Sequence, residues 1–411
     1  MTPGFLVGHA THPDWRAALA LAAAQIDGQR AGHEASTAAP LSLGLAYFSD
    51  HYAPQAGELL QALKRRWPGV AWVGCAAVGV AAGGVEYIDE PALALMLAAL
   101  PAGQFEAFSG ARKLSRITPF SALVHADPAT PELAELITEM SDRTVSGYLF
   151  GGLVSSRTAP VHLADGVYAG GLSGVAFARE VGLISRVTQG CQPIGPAREI
   201  TGAERNIVTG LDGEPALPAL LRDLGVDGLA DPRQALPRLR ATLAGLTDAH
   251  ASALAHGGRV GRQFGADTRV RHLIGLDPAR QAIALAELVQ PGQRLAFCQR
   301  DVAAARRDLV RICSEIRDEV ESPAEPVLAG AGPAHASSDA RRRIQGAVYV
   351  SCAGRGGPHF GGPSAELRIV QHALAAQGQE VPLVGFFAAG EIARHHLYGY
   401  TGVLTVFTGA A

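Results

Sequence analysis

The 411-residue sequence predicts a mixed α/β (α+β) protein: two pseudo-repeated domains, 1–180 and 181–411, made of strand–helix–strand–hairpin units with mixed sheets. Three observations carry that expectation. Short β-branched and aromatic runs end in glycine: Val70–Val73 before Gly74, Tyr148–Phe150 before Gly151, and Val381–Val384 before Gly385. Stretches with helical apolar spacing precede each of these runs. Finally, Val70-Ala-Trp-Val-Gly-Cys-Ala-Ala-Val-Gly79 and Val381-Pro-Leu-Val-Gly-Phe-Phe-Ala-Ala-Gly390 match at Val, Val, Gly, Ala and Gly in one register, with a looser copy at Tyr148-Leu-Phe-Gly-Gly152. A phrase that returns at separate places marks an internal repeat.

In order, Phe5–Gly8 is a strand, and His12-Pro13-Asp14 leads into an alanine-rich helix over Trp15–Ile26. Residues from Gly28 to Pro40 are small and polar, a loop. Leu41–Phe48 is the next strand. Ser49-Asp50 is placed to cap a helix that buries Leu59, Leu60 and Leu63 and stops at Pro68-Gly69. The pattern repeats with the strand Ala122–His125, a helix over Glu132–Met140 and the strand Val145–Phe150. Hairpin-like segments follow the glycines, Glu86–Leu100 and Val161–Phe177, the latter around Asp165-Gly166, a strong turn signal.

The middle differs. Gln189–Pro196 is stiffened by prolines, Glu199–Thr209 reads as a strand pair, and Pro215 opens a helix. Leu236, Leu239, Leu243 and Leu246 have helical spacing. Val270–Ile274 and Gln293–Cys298 are strands, and Asp301–Glu319 is a long helix. The stretch from Ser322 to Ala336 is a flexible Pro/Gly linker, after which the strand at Ala347 returns to a sheet begun at Val181. Pro363-Ser364 starts a last helix through Leu367, Val370 and Leu374, with Gly378 to end it.

Composition excludes several function classes. A net charge of -3, with Arg341-Arg342-Arg343 as a basic triplet and no longer basic run, argues against nucleic acid as a partner. The five cysteines, Cys75, Cys191, Cys298, Cys313 and Cys352, are scattered and lack CxxC spacing, which suits a reduced intracellular protein. No signal peptide opens the sequence, and Val70–Val85 is too short and glycine-rich to span a bilayer, so the expectation is a cytoplasmic protein without membrane insertion. No phosphate loop, dinucleotide fingerprint or nucleophile elbow occurs, and His359, His395 and His396 lack partners at metal-ligand spacing. Neither cofactor nor metal is expected.

The chemistry-bearing residues cluster late. If the strands at Val348–Ser351 and Val381–Val384 run parallel, their glycine-rich turns open on one sheet edge, where open α/β sheets place ligand crevices. One turn carries Cys352, Gly354, Arg355 and Gly356, and the other carries Gly390 and Glu391. A guanidinium between glycines suits a carboxylate or phosphate; its structural alternative is an ion pair with Glu366 or Glu391. Glu391 suits an ammonium group, or else caps a helix. Cys352 is either a buried, inert thiol or a thiolate activated by Arg355.

Gln189-Gly-Cys-Gln-Pro-Ile-Gly-Pro196, Leu211-Asp-Gly-Glu-Pro-Ala-Leu217, Arg300-Asp301, Cys352-Ala-Gly-Arg-Gly356 and Val384-Gly-Phe-Phe-Ala-Ala-Gly-Glu391 together resemble the FIST family. Val73-Gly-Cys-Ala-Ala-Val-Gly79 and Gly151-Gly152 with Asp165-Gly166 resemble its N-terminal domain. The resemblance spans about residues 5–408 and implies a free-standing sensory protein of intracellular signal transduction. It would bind a small ligand, an anion or amino-acid-like zwitterion, and act through a signalling partner. The first copy departs from the family pattern, with Ala76-Ala77 in place of a hydroxyl residue and Val80 in place of an acidic one. Two other functions stay open: a hydrolase or transferase using Cys352 as nucleophile, with His359, His395 or His396 as base, and an interaction scaffold without a small ligand. Unpaired sheet edges also admit a homo-oligomer.

Overall fold

The computed structural model describes residues 4–31, 40–111, 114–226, 232–248, 268–322, 342–375 and 380–410. It is a mixed α/β structure with several mixed sheets. The chain divides into a larger compact body, Met1–Thr188 with Arg306–Leu397 and Thr401–Ala411, and a smaller one, Gln189–Ala305 with Tyr398–Tyr400.

The larger body contains three copies of one plan. In each, two parallel strands flank a helix. Leu43–Ser49 pairs with Ala71–Ala77 across the helix Ala56–Arg66. Ser121–Ala126 pairs with Tyr148–Leu153 across Leu133–Asp142. Arg342–Cys352 pairs with Leu383–Ala388 across Ala365–Leu374. The repeated glycine has one physical cause in all three. Gly74 stands beside Ala46, Gly151 beside Val124 and Gly385 beside Tyr349, and a Cβ at any of them would overlap that neighbour's carbonyl oxygen. The Tyr148–Leu153 copy, looser in sequence, is as strict in structure.

Each copy is completed by a piece of another. The hairpin Gly79–Ala82 with Val85–Ile88 leaves the first copy and pairs with Leu383–Ala388 of the third. The hairpin that begins at His162–Ala164 leaves the second and pairs with Ala71–Ala77 of the first. Glu391–Ala393 leaves the third and pairs with Tyr148–Leu153 of the second. Three six-stranded mixed sheets result, each closed on one side by a borrowed hairpin. Where the copies meet, Tyr47, His125 and Phe386, one from each, bring their rings within 5.0, 5.5 and 5.6 Å of one another. Burial pulls His125 down to about 3, so it is neutral, and its Nε2 lies 3.2 Å from the Tyr47 hydroxyl. The expected return of the Ala347 strand is seen: Gly182–Gln189 and Arg342–Cys352 belong to one sheet.

The smaller body is antiparallel. Arg294–Arg300, Arg198–Glu204, Ile207–Leu211, Ala282–Leu285, Arg269–Asp277 and Thr242–Thr247 pair in succession, and the last returns to the first. Its interior holds Ile200, Val208, Leu246, Ile283, Leu295 and Phe297.

Three local expectations are corrected. The helix read through Leu236, Leu239, Leu243 and Leu246 stops at Ala241, and Leu243 and Leu246 lie on the strand Thr242–Thr247. That strand is buried on both faces, so its pattern does not alternate. Ser49 does not cap the following helix; a 3-10 turn over Asp50–Gln55 intervenes, and the Ser49 hydroxyl accepts from Ala92 N instead. Pro215 precedes its helix, Ala216–Leu224, rather than beginning it. Most of the Gly28–Pro40 loop, the Pro/Gly linker from Pro323 onward, Arg341 and Gly378 lie outside the described residues.

Candidate functional site

In the third copy Cys352 stands beside Ala388, so the two turns leave the same sheet edge. They are tied together there. Ala353 N donates to Ala388 O at 2.8 Å, and Arg355 N closes its turn on Cys352 O at 2.8 Å. Ala353, Gly354 and Ala389 are exposed and Cys352 is half-buried, so this rim faces solvent.

Arg355 turns inward and is 1% exposed. Its Nε donates to Glu366 Oε1 at 2.9 Å, and Nη2 lies 2.8 Å from the same oxygen. The guanidinium also stacks over Phe360 at 5.2 Å, and Nη1 reaches Thr188 O at 3.5 Å. Glu366, in the first turn of its helix, further accepts from the Tyr349 hydroxyl at 2.6 Å and the Ser351 hydroxyl at 2.9 Å. Burial alone would lower the Arg355 pKa, but Glu366, Tyr349 and Glu391 together hold it above its ordinary value. The ion-pair partner expected at Glu366 is therefore present.

Glu391 opens the borrowed hairpin, opposite Gly152, and is fully buried. Its Oε2 accepts from Thr401 N at 3.1 Å and from the Thr401 hydroxyl at 2.6 Å. Its Oε1 accepts no hydrogen bond by distance and angle. Burial pushes this carboxyl up to about 8; the Thr401 hydrogen bonds, Arg355 and the Cys352 thiol act in the opposite direction. Burial thus favours the neutral acid form of this side chain. The structure brings Cys352, Arg355 and Glu391 together as neighbours, as the parallel register requires.

The glycines divide. Gly354 is exposed at the rim. A Cβ on Gly356 would come within 2.7 Å of Ile88 and 2.8 Å of Phe387, so close packing against the borrowed hairpin requires it. Gly390 offers its carbonyl to Leu153 N at 2.8 Å.

Glu86, Tyr349 and Thr401 were missed by the sequence reading. Glu86 comes from the first copy's hairpin and holds the start of the third copy's helix: its Oε1 accepts from Leu367 N at 2.9 Å, and its own N donates to the Ser364 hydroxyl at 3.0 Å. Burial raises its pKa, and Glu366 nearby adds to the effect. Nothing local to Glu86 announces a partner about 280 positions away. The position of Glu391 is filled by His162 and Val80 in the other two exchanges, opposite Cys75 and Phe386. Only the third copy's hairpin brings a carboxyl there. His395 and His396 place their rings 4.0 Å apart, and among the described residues no three His, Cys, Asp or Glu side chains group as a metal site.

Two family models match the chain, the FIST N domain over residues 42–214 and the FIST C domain over 216–394. Similar proteins include the uncharacterized protein Rv0628c of Mycobacterium tuberculosis, 32% identical over 422 residues, and the uncharacterized protein Mb0898c of Mycobacterium bovis, 31% identical over 419 residues. Each alignment covers 98% of both chains.

Proposed function

The chain belongs to the FIST family, whose domains are associated with sensing and signal transduction, and from that premise we propose that it is a cytoplasmic small-ligand sensor. The crevice is the rim of Cys352, Gly354 and Gly356 with Arg355, Gly390 and Glu391 beneath it. One observation carries this reading: two glycine turns on adjacent parallel strand tips set a half-buried thiol over a buried carboxyl and guanidinium. Polar groups held by loops on a rigid sheet edge are where ligands are generally bound.

The ligand is a small anion or amino-acid-like zwitterion. Contact at the rim reaches Glu391, and Glu391 begins the strand that completes the second copy's sheet. A ligand that prefers one position of this strand shifts the balance between two arrangements of the copies, which a signalling partner then reads. No described helix is long and apolar enough to cross a membrane.

The test is calorimetry against a panel of amino and organic acids. Wild type is compared with Ala389→Arg, which adds bulk at an exposed rim position without disturbing the core. Saturable binding that the variant loses, with its unfolding midpoint unchanged, supports the reading. Absence of any binder, or equal binding to both proteins, refutes it.

A further inference from the structure

Among the described residues the strand Phe5–Thr11 stands at one end of its sheet, with Ala92–Ala98 on its inner side. Its sequence, Phe-Leu-Val-Gly-His-Ala-Thr, holds no Lys, Arg, Asp, Glu or Pro, the residues that usually blunt an exposed edge. Val7 and His9 turn their backbone groups outward, and two side chains occupy them. Gln29 Oε1 accepts from Val7 N at 3.1 Å, while its Nε2 donates to Val7 O at 2.6 Å. Gln25 Oε1 accepts from His9 N at 3.0 Å, while its Nε2 donates to His9 O at 2.7 Å. Each amide exchanges the same two hydrogen bonds that a residue of an antiparallel neighbour would exchange. The spacings agree, since two strand residues advance about 6.8 Å and four helix residues about 6 Å. Gly8 makes the reach possible. A Cβ there would come within 2.1 Å of Ala22 O, so the helix Trp15–Ala31 lies directly on the strand and its glutamines reach round to the edge.

We infer that Gln25 and Gln29 are a stand-in strand, which keeps the Phe5–Thr11 edge closed to the same strand of a second copy of this chain. The self-match lies in the sequence. Antiparallel pairing about Gly8 sets Val7 of one copy against His9 of the other, so the outward residues of both strands meet, and no acidic or basic side chain faces its like. Opening the edge needs only that two exposed side chains rotate away from it. Nothing in this depends on the crevice at Cys352.

The experiment compares the wild-type protein with Gln25→Ala/Gln29→Ala, a pair of exposed helix positions where alanine favours the helix. Gln61→Ala, at an exposed position of the helix Ala56–Arg66, is the control. Light scattering after size exclusion reads mass against concentration, and hydrogen exchange resolved by electron-transfer fragmentation reads the Val7 and His9 amides. The double variant should double the wild-type mass as concentration rises, whereas Gln61→Ala should not. In dilute double variant the two amides should exchange at least about tenfold faster than in wild type, and concentration should protect them again. Adding His9→Pro removes an outward donor at a place where an edge strand tolerates proline, and should restore the wild-type mass. A double variant that keeps the wild-type mass at every concentration, or whose two amides stay as protected as in wild type, overturns the inference. So does a doubling that survives His9→Pro. Renewed protection of the amides with no gain in mass would show another segment of the same chain taking the edge, and overturns it too.

Discussion

Glu391 makes the stability of this protein depend on pH in one direction. Its carboxyl sits at about 8 in the folded state against an ordinary 4.5. At 1.36 kcal/mol for each pH unit between them, the gap corresponds to ~5 kcal/mol, an order-of-magnitude ceiling. Below pH 4.5 both folded and unfolded chains carry the proton, and the residue is neutral in its effect. Between 4.5 and 8 the unfolded chain loses its proton while the folded one keeps it, so stability falls as pH rises, by ~1.4 kcal/mol per pH unit. Above 8 both are ionised and the penalty is constant. Glu391→Gln keeps an acceptor for Thr401 and removes the titration. In urea unfolding followed by tryptophan fluorescence, the variant should gain up to ~4 kcal/mol relative to wild type between pH 5 and 8. Other titrating groups cancel in the subtraction, and Arg355 keeps its charge throughout this range. A wild-type-minus-variant difference that stays flat with pH would refute the assignment of a neutral buried acid.

Arg355→Met leaves Glu366 buried without its cation and should cost ~3–5 kcal/mol, whereas Arg355→Met with Glu366→Gln should recover most of that, as measured by a double-mutant cycle in denaturant. Gly385→Ala should destabilise severely, because its Cβ meets the Tyr349 carbonyl, while Gly57→Ala, in open space on a helix, should be neutral or stabilising by about 0.5–1 kcal/mol; equal midpoints for the two variants would contradict the packing described. Cys352 is half-buried and the other four cysteines are buried, so brief iodoacetamide treatment of the native protein should label Cys352 alone by peptide mass spectrometry.

Much of the fold could be read from residue types, because its cause is local. The match between Gly74 and Gly385 records a backbone that approaches its parallel neighbour too closely for a side chain. The glycine turns at Cys352 and Gly390 likewise announced a shared edge. The exchange of hairpins could not be read, since alternation tells that a segment is a strand but not whose sheet it joins. The same limit hid Glu86, whose partners Leu367 and Gly357 belong to another copy. Glu366 was named as one of two candidate partners for Arg355, and only the folded structure shows that it takes the guanidinium, with Glu391 nearby.

The circular lending of hairpins means that no third of the larger body is self-sufficient. Cut the polypeptide between the second and third copies and both fragments inherit a wound: one keeps the Tyr148–Leu153 edge bare, and the other lacks the cover that Gly79–Ile88 gives to Leu383–Ala388. Bare strand edges recruit whatever strand is near. Separately made halves should therefore clump or seek each other out, and the ring is mended only when both are present.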